Sequence, residues 1–216
     1  MEKYLSFFMI DLSGYTALTE KHGGKTAARV ISRFVHLVKS IIASPCEISE
    51  RTGDELVITS KNPDALVSLV RNIKKKVEEQ VNFPSFHGGL HSGEIYIFDN
   101  HFFGSSINLT SRLLNHAQRG QVLASEDFLR SINKKNASYF KKLGKAQFKN
   151  ILEPVALYTL QSGSDMGVDI DPVCRMQVQN TNNKLSWPGD DGHTHYFCSQ
   201  ECLLSFKQNP RAYLGQ

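Results

Sequence analysis

The order of apolar strands and amphipathic helices in the first 160 residues is the feature that most limits how this chain folds. Apolar runs typical of strands alternate with stretches of helical spacing in the order strand–helix–strand–strand–helix–strand. This order predicts a ferredoxin-like α+β sandwich, with one antiparallel sheet and its helices on one face. The predicted elements are strand 6–10, helix 24–42, strands 46–51 and 55–59, helix 63–77, a strand pair 88–92 and 94–98 around Gly93, helix 106–116, strand 121–124, a short helix from Glu126, and two strands that end with 155–160.

Two aspartates stand at the ends of predicted strands. Asp11 closes the first strand, and Asp54 lies at the tip of a hairpin, where Gly53 relieves the backbone. Carboxylates placed in this way suit Mg²⁺, which binds a few carboxylates together with substrate phosphates. Ser13-Gly14, between the first strand and a helix, would offer backbone N–H groups to phosphate oxygens. Taken singly, Asp11 is better explained as a helix N-cap and Asp54 as a turn residue.

A third polar motif lies downstream. Asn108 and Arg112 are four residues apart and therefore share one face of a predicted helix. An arginine can neutralise charge on a transferring phosphoryl group, and an asparagine can hydrogen-bond a ribose. Two carboxylates for metal, followed by an amide and a guanidinium, are groups that phosphoryl chemistry on a nucleoside triphosphate requires.

These motifs, in this order, resemble the class III nucleotide cyclase catalytic domain over about residues 5–160. The individual motifs are only moderately specific, and five of them in the right order make the resemblance strong. They are Phe8-x-x-Asp11-x-x-Gly14-Tyr15-Thr16-x-Leu18, Gly53-Asp54, the Gly-Leu-His-Ser-Gly-Glu stretch 89–94, Gly104-x-x-Ile107-Asn108-x-x-x-Arg112-Leu113, and Phe148-Lys149-Asn150-Ile151-x-Glu153-Pro154-Val155-x-x-Tyr158.

The resemblance implies a head-to-tail homodimer with active sites at its interface. Asp11 and Asp54 of one subunit would bind two Mg²⁺ or Mn²⁺ ions, and Asn108, Arg112 and Lys149 of the other would act on ribose and phosphates. ATP or GTP would yield a 3′,5′-cyclic nucleotide and pyrophosphate. Further nucleotide-binding residues implied are Leu12, Ser13, Gly14, Tyr15 and Thr16.

The two positions that select the base in this family are Glu50 and His101 here. A carboxylate accepts hydrogen bonds from the guanine N1–H and 2-amino group, which favours GTP. His101 fits neither the adenine nor the guanine pattern, and most members of bacterial type make cyclic AMP. The choice between ATP and GTP stays open. A catalytically weak or inactive cyclase-like sensor of nucleotide or metal is the alternative function.

The C-terminal segment has a different character. It holds Cys174, Cys198 and Cys202 within about 45 residues, too few for a self-sufficient core without a metal. Asp-Pro-Val-Cys and Tyr-x-Phe-Cys-Ser-x-x-Cys resemble a YHS domain. Three thiolates suit Zn²⁺ or Cu⁺, with His193, His195, water or nothing as fourth ligand; buried cysteines packed as small hydrophobes are the alternative. The predicted domains are cyclase 1–162, linker 163–169 and YHS 170–216.

Composition excludes several other classes. The formal net charge is +4 with scattered basic residues, which argues against a nucleic-acid partner. No apolar run approaches the ~20 residues of a membrane span, and the N-terminus lacks a signal-peptide pattern. A cytoplasmic protein is therefore expected.

Overall fold

The computed structural model describes residues 2–99, 101–161, 168–178, 185–189 and 192–214. Most of the predicted linker 163–169 lies outside the described residues, and Asp169 already belongs to a strand. The elements in chain order are β1 (Glu2–Leu12), α1 (Tyr15–Ile41), β2 (Cys46–Thr52), β3 (Glu55–Ser60), α2 (Pro63–Glu78), β4 (Phe83–Pro84), β5 (Phe86–Phe98), β6 (His101–Phe103), α3 (Ser105–His116), β7 (Val122–Ser125), α4 (Glu126–Ser131), α5 (Lys134–Ala137), β8 (Phe140–Ala146), β9 (Val155–Leu160), β10 (Asp169–Ile170), β11 (Met176–Val178), β12 (Leu185–Pro188), β13 (Thr194–Phe197), α6 (Gln200–Gln208) and α7 (Arg211–Leu214).

The main sheet has the strand order β2-β3-β1-β5-β7-β9-β8, with β6 paired to the far end of β5. Every pairing in it is antiparallel except that of β5 with β7. The predicted α+β class with an antiparallel sheet is confirmed. In the central register Asp11 on β1 lies opposite His87 on β5.

Helices cover both faces of this sheet, so the prediction that they lie on one face is wrong. Phe8 and Ile10 of β1 point into a core shared with α1 and α2. Phe7 and Met9 point the other way, into a smaller core closed by Leu114 of α3. The reason is visible in β1 itself, because a continuous apolar run leaves two apolar faces that both need a covering layer.

Two predicted boundaries are also wrong, and glycines explain both. Helix α1 begins at Tyr15 and not near Gly24, since it passes through a kink at Gly23, where φ is 77°. The predicted strand pair around Gly93 is one continuous strand, β5. Gly93 makes no turn there; a Cβ at this position would collide with Ser106 of α3, so glycine permits close helix packing.

The C-terminal segment packs directly on the first 160 residues. Strand β11 pairs with β4, with Met176 opposite Pro84. Phe197 and Phe206 are buried in the same apolar cluster as α1. A segment of this size gains from its neighbour the apolar burial that it lacks alone. Within the described residues, no helix has the length and apolar character needed to cross a bilayer.

Candidate functional site

The structure brings the two predicted metal-binding aspartates together. Asp11 lies near the end of β1, and Asp54 lies in the turn between β2 and β3. Because Ile10 lies opposite Leu56 in the pairing of β1 with β3, the two carboxyl groups come close enough to interact. Burial, followed by the hydrogen bond and charge of Asp11, raises the pKa of Asp54 to about 6. Burial likewise raises the pKa of Asp11. Two half-buried carboxyls this close repel each other when ionised, and a cation between them would remove that repulsion.

The loop after Asp11 has only part of its backbone free for a ligand. The Ser13 N–H already donates to the Ser85 carbonyl at 2.8 Å, and the Leu12 N–H donates to Asp11 at 3.0 Å. Gly14 has φ +86° and immediately precedes α1, whose first residues are Tyr15 and Thr16. The N–H groups of the first helical turn are therefore the donors left for an anion at this end of the loop.

Three residues beside this loop were missed from the sequence. His87 hydrogen-bonds Ser13 across the sheet, Nδ1 to Oγ at 3.0 Å, and burial and the Arg119 charge lower its pKa. Arg119 and Arg175 both lie against Gly14 so closely that a Cβ there would collide with them. The Arg119 guanidinium donates to the Arg175 carbonyl. Arg175 belongs to the C-terminal segment, and no spacing in the sequence could have indicated this contact.

The three residues predicted to act on ribose and phosphates lie on the same face of the sheet as Asp11. This face is the one that α3 covers, because Asp11 follows Met9 by two positions on β1. Asn108 and Arg112 are exposed on α3. Lys149 is exposed directly after Phe148, which packs against Leu113 of that helix.

Glu50 and His101, which the resemblance assigns to base selection, are far apart in sequence and close in space. The Glu50 carboxylate and His101 Nδ1 are 3.6 Å apart. Glu50 lies opposite Val57, which lies opposite Met9, so the pair also belongs to the face covered by α3. An acceptor and an imidazole that can donate thus stand side by side at an exposed edge.

A second cluster contains the three C-terminal cysteines. Their sulfurs and the Nε2 atom of a histidine all lie within 4.8 Å of one another, and all three cysteines are free thiols. The histidine is His22 of α1, and neither His193 nor His195, which the sequence suggested. His195 instead packs against Phe206, with ring centroids 5.0 Å apart.

The YHS domain family matches residues 170–216. This segment is a YHS domain. For the rest of the chain, a pH-sensitive adenylate cyclase of Mycobacterium tuberculosis is 28% identical over 116 residues, which are 54% of this chain and 29% of that protein. The matches span less than a third of the length of the curated relatives.

Solved structures agree on the fold of the N-terminal part. An adenylate cyclase of Trypanosoma brucei aligns with a TM-score of 0.67 at 18% identity, over 73% of this chain and 87% of that one. The guanylyl cyclase Cya2 aligns with a TM-score of 0.64 at 16% identity, over 77% and 96%. The chain therefore joins a domain with the class III nucleotide cyclase fold to a YHS domain.

Proposed function

We propose that this chain is a class III nucleotide cyclase, which converts ATP or GTP to a 3′,5′-cyclic nucleotide and pyrophosphate. The observation that carries the proposal is the contact between Asp11 and Asp54 at neighbouring strand ends. A pair of carboxylates whose charges disfavour each other is the donor set expected for divalent cations that arrive with a nucleotide.

Asp11 and Asp54 would hold two Mg²⁺ or Mn²⁺ ions. When bound, these ions would supply Lewis acidity toward the ribose 3′-hydroxyl and neutralise charge on the leaving pyrophosphate. The fit is supported by the donor chemistry, since both ligands are hard carboxylate oxygens and each keeps partial access to solvent. The N-terminal turn of α1, next to Gly14, would accept the phosphates.

A head-to-tail homodimer would complete the site. Asn108, Arg112 and Lys149 are exposed and lie on the face of the sheet that also carries Asp11. In a symmetric dimer that buries this face, each subunit would offer these residues to its partner's carboxylate pair. Asn108 would orient the ribose, Arg112 would stabilise charge developing at the α-phosphate, and Lys149 would bind the terminal phosphates.

The base would lie against Glu50 and His101. Glu50 can accept from guanine N1–H while His101 donates to guanine O6. The same two groups can accept from the adenine 6-amino group and donate to adenine N1. Both nucleotides therefore belong in the test of the proposal.

The direct experiment incubates the purified full chain with ATP or GTP and with Mn²⁺ or Mg²⁺. We expect equal amounts of 3′,5′-cyclic nucleotide and pyrophosphate from at least one nucleotide, measured by chromatography and a coupled pyrophosphate assay. Absence of both products in all four combinations would contradict a cyclase.

A cyclase-like sensor with little or no turnover is the second candidate. The observation that favours it is the position of Arg119 and Arg175 against Gly14, which crowds the loop expected to hold phosphates. Nucleotide binding without product, measured by calorimetry on the same preparation, would support the sensor and exclude the enzyme.

A further inference from the structure

We infer that the YHS domain and the cyclase domain are joined by one zinc ion, bound by Cys174, Cys198, Cys202 and His22. Three ligands come from the YHS domain, and the fourth comes from α1 of the cyclase domain. This site needs no nucleotide and stands whether or not the chain is a cyclase.

Two distances within the cluster match the edges of a tetrahedral zinc site, and a third is shorter. Zn–S bonds of about 2.3 Å and Zn–N bonds of about 2.0–2.1 Å set tetrahedral edges of about 3.8 Å between sulfurs and about 3.6 Å between sulfur and nitrogen. The Sγ atoms of Cys174 and Cys198 are 3.3 Å apart, and those of Cys198 and Cys202 are 3.8 Å apart. Cys202 Sγ and His22 Nε2 are 3.6 Å apart.

Neighbouring groups fix the cysteines in this arrangement. The fully buried Asp171 accepts backbone hydrogen bonds from Cys174 at 3.2 Å and from Cys198 at 2.8 Å. The Ser199 side chain caps α6 and accepts from the Cys202 N–H at 3.2 Å. One carboxylate thus ties together the two loops that carry the first two ligands, and a helix cap orients the third. Such outer hydrogen bonds are typical of structural metal sites.

Local structure also explains why His22 reaches the cluster. It is the last residue before the break in α1 at Gly23, where the backbone leaves helical geometry. Its neighbour Lys21 donates to Ser205 on α6, which holds this turn of α1 against the YHS domain. The imidazole is half-buried at this contact. A helix break beside a polar contact with the cysteine-bearing helix gives His22 a defined place.

The ligand set selects the metal. Three thiolates and one imidazole are a donor set of the closed, structural zinc type. Mg²⁺ and Ca²⁺ prefer oxygen ligands. Tetrahedral sites of thiolate and imidazole ligands are typical of zinc, whereas Cu²⁺ favours tetragonal geometry. The observed spacing therefore favours zinc.

The test uses the full chain, freed of metal with a chelator under reducing conditions. Co²⁺ is added as an optical probe, and Zn²⁺ then displaces it. We expect one Co²⁺ per chain, with tetrahedral ligand-field bands and sulfur-to-cobalt charge transfer. His22→Ala should lower Zn²⁺ affinity at least about tenfold, the smallest effect typical of losing even an outer-shell partner.

Two further variants separate a ligand from a structural residue. His22→Cys should keep one tetrahedral Co²⁺ and increase the charge-transfer band, because a fourth thiolate replaces nitrogen. His36→Ala, an exposed histidine on the same helix, should leave both affinity and spectrum unchanged.

The inference is overturned if the Co²⁺ spectrum is the same in His22→Ala, His22→Cys and the unchanged chain, or if the unchanged chain binds neither Co²⁺ nor Zn²⁺. If His22→Ala does not fold, as judged by circular dichroism, the His22→Cys spectrum alone decides. None of these readouts uses cyclase activity, so failure here and failure of the proposed enzyme are independent.

Discussion

The carboxylate pair and the cysteine cluster lie at opposite ends of the first segment of α1, and they differ in almost every chemical respect. Asp11 and Asp54 offer two hard carboxylates that are partly open to solvent. The cysteine cluster has four softer ligands, two of them buried, spaced for a closed tetrahedron. An open site lets a substrate complete the coordination of its metal, whereas a closed site commits all positions to holding structure together.

The largest expected effect is on cyclase activity and concerns the carboxylate pair. Asp54→Asn removes a carboxylate that would hold the reacting cation, so cyclase activity should fall at least about a hundredfold, since such ions supply several kcal/mol of charge stabilisation. Zinc content, measured by elemental analysis, should stay the same. Retained activity in Asp54→Asn would show that the open site is wrongly assigned.

The second effect is on stability and concerns the closed site. Cys202→Ser should abolish zinc binding. Zinc at 100 times its dissociation constant adds about 2.7 kcal/mol to the free energy of unfolding, which is about 5–10 °C in Tm for a chain of this size. A calorimetric scan with and without zinc measures the difference.

The matched control for that experiment is Cys46→Ser, a buried cysteine on β2 outside the cluster. Its response to zinc should equal that of the unchanged chain, whatever its own Tm. If zinc raises the Tm of Cys202→Ser as much as that of Cys46→Ser, the closed site does not depend on this thiol.

The smallest effect is a pH dependence confined to the open site. The folded protein raises the pKa of Asp54 to about 6 through burial and Asp11. Its contribution to stability is therefore fully present below the unfolded pKa near 4 and is lost as pH rises through about 6. Burial also raises the pKa values of Asp11 and Glu55, so their contributions to stability likewise decrease as the pH rises. The pKa of His87 is lowered, so its contribution to stability increases with pH.

Without divalent cations, the Tm of Asp54→Asn should increase relative to the Tm of the unchanged chain as the pH rises from about 5 to about 7. Saturating Mg²⁺ should raise the Tm of the unchanged chain more at about pH 7 than at about pH 5. A Tm difference that is constant across this range would contradict the strained carboxylate pair.

Local signals in the sequence mark each predicted residue of the proposed open site. Asp11 ends an apolar strand, Asp54 follows a turn glycine, and Asn108 and Arg112 share a helix face. The resemblance assigned both Glu50 and His101 to base selection, and the structure places them 3.6 Å apart.

The sequence was not sufficient for the closed site or for the domain contact. His22 lies about 150 residues before the first of its cysteine partners, beside two glycines that resemble a helix start. Only the packing of β11 on β4, and of α6 on the beginning of α1, brings it to the sulfurs. Arg175 reaches Gly14 for the same reason. Contacts between domains leave no periodic pattern in a single sequence.

In the proposed dimer, one cyclase centre would take its carboxylates from one subunit and its Asn108 and Arg112 from the other. The most direct measurement mixes two variants, Asp54→Asn and Asn108→Ala, each expected to be inactive alone. In a random symmetric dimer, half of the molecules would be mixed and each would hold one intact site, so about a quarter of the unchanged activity should return. A mixture that stays inactive, although co-purification shows that mixed dimers form, would contradict the shared site.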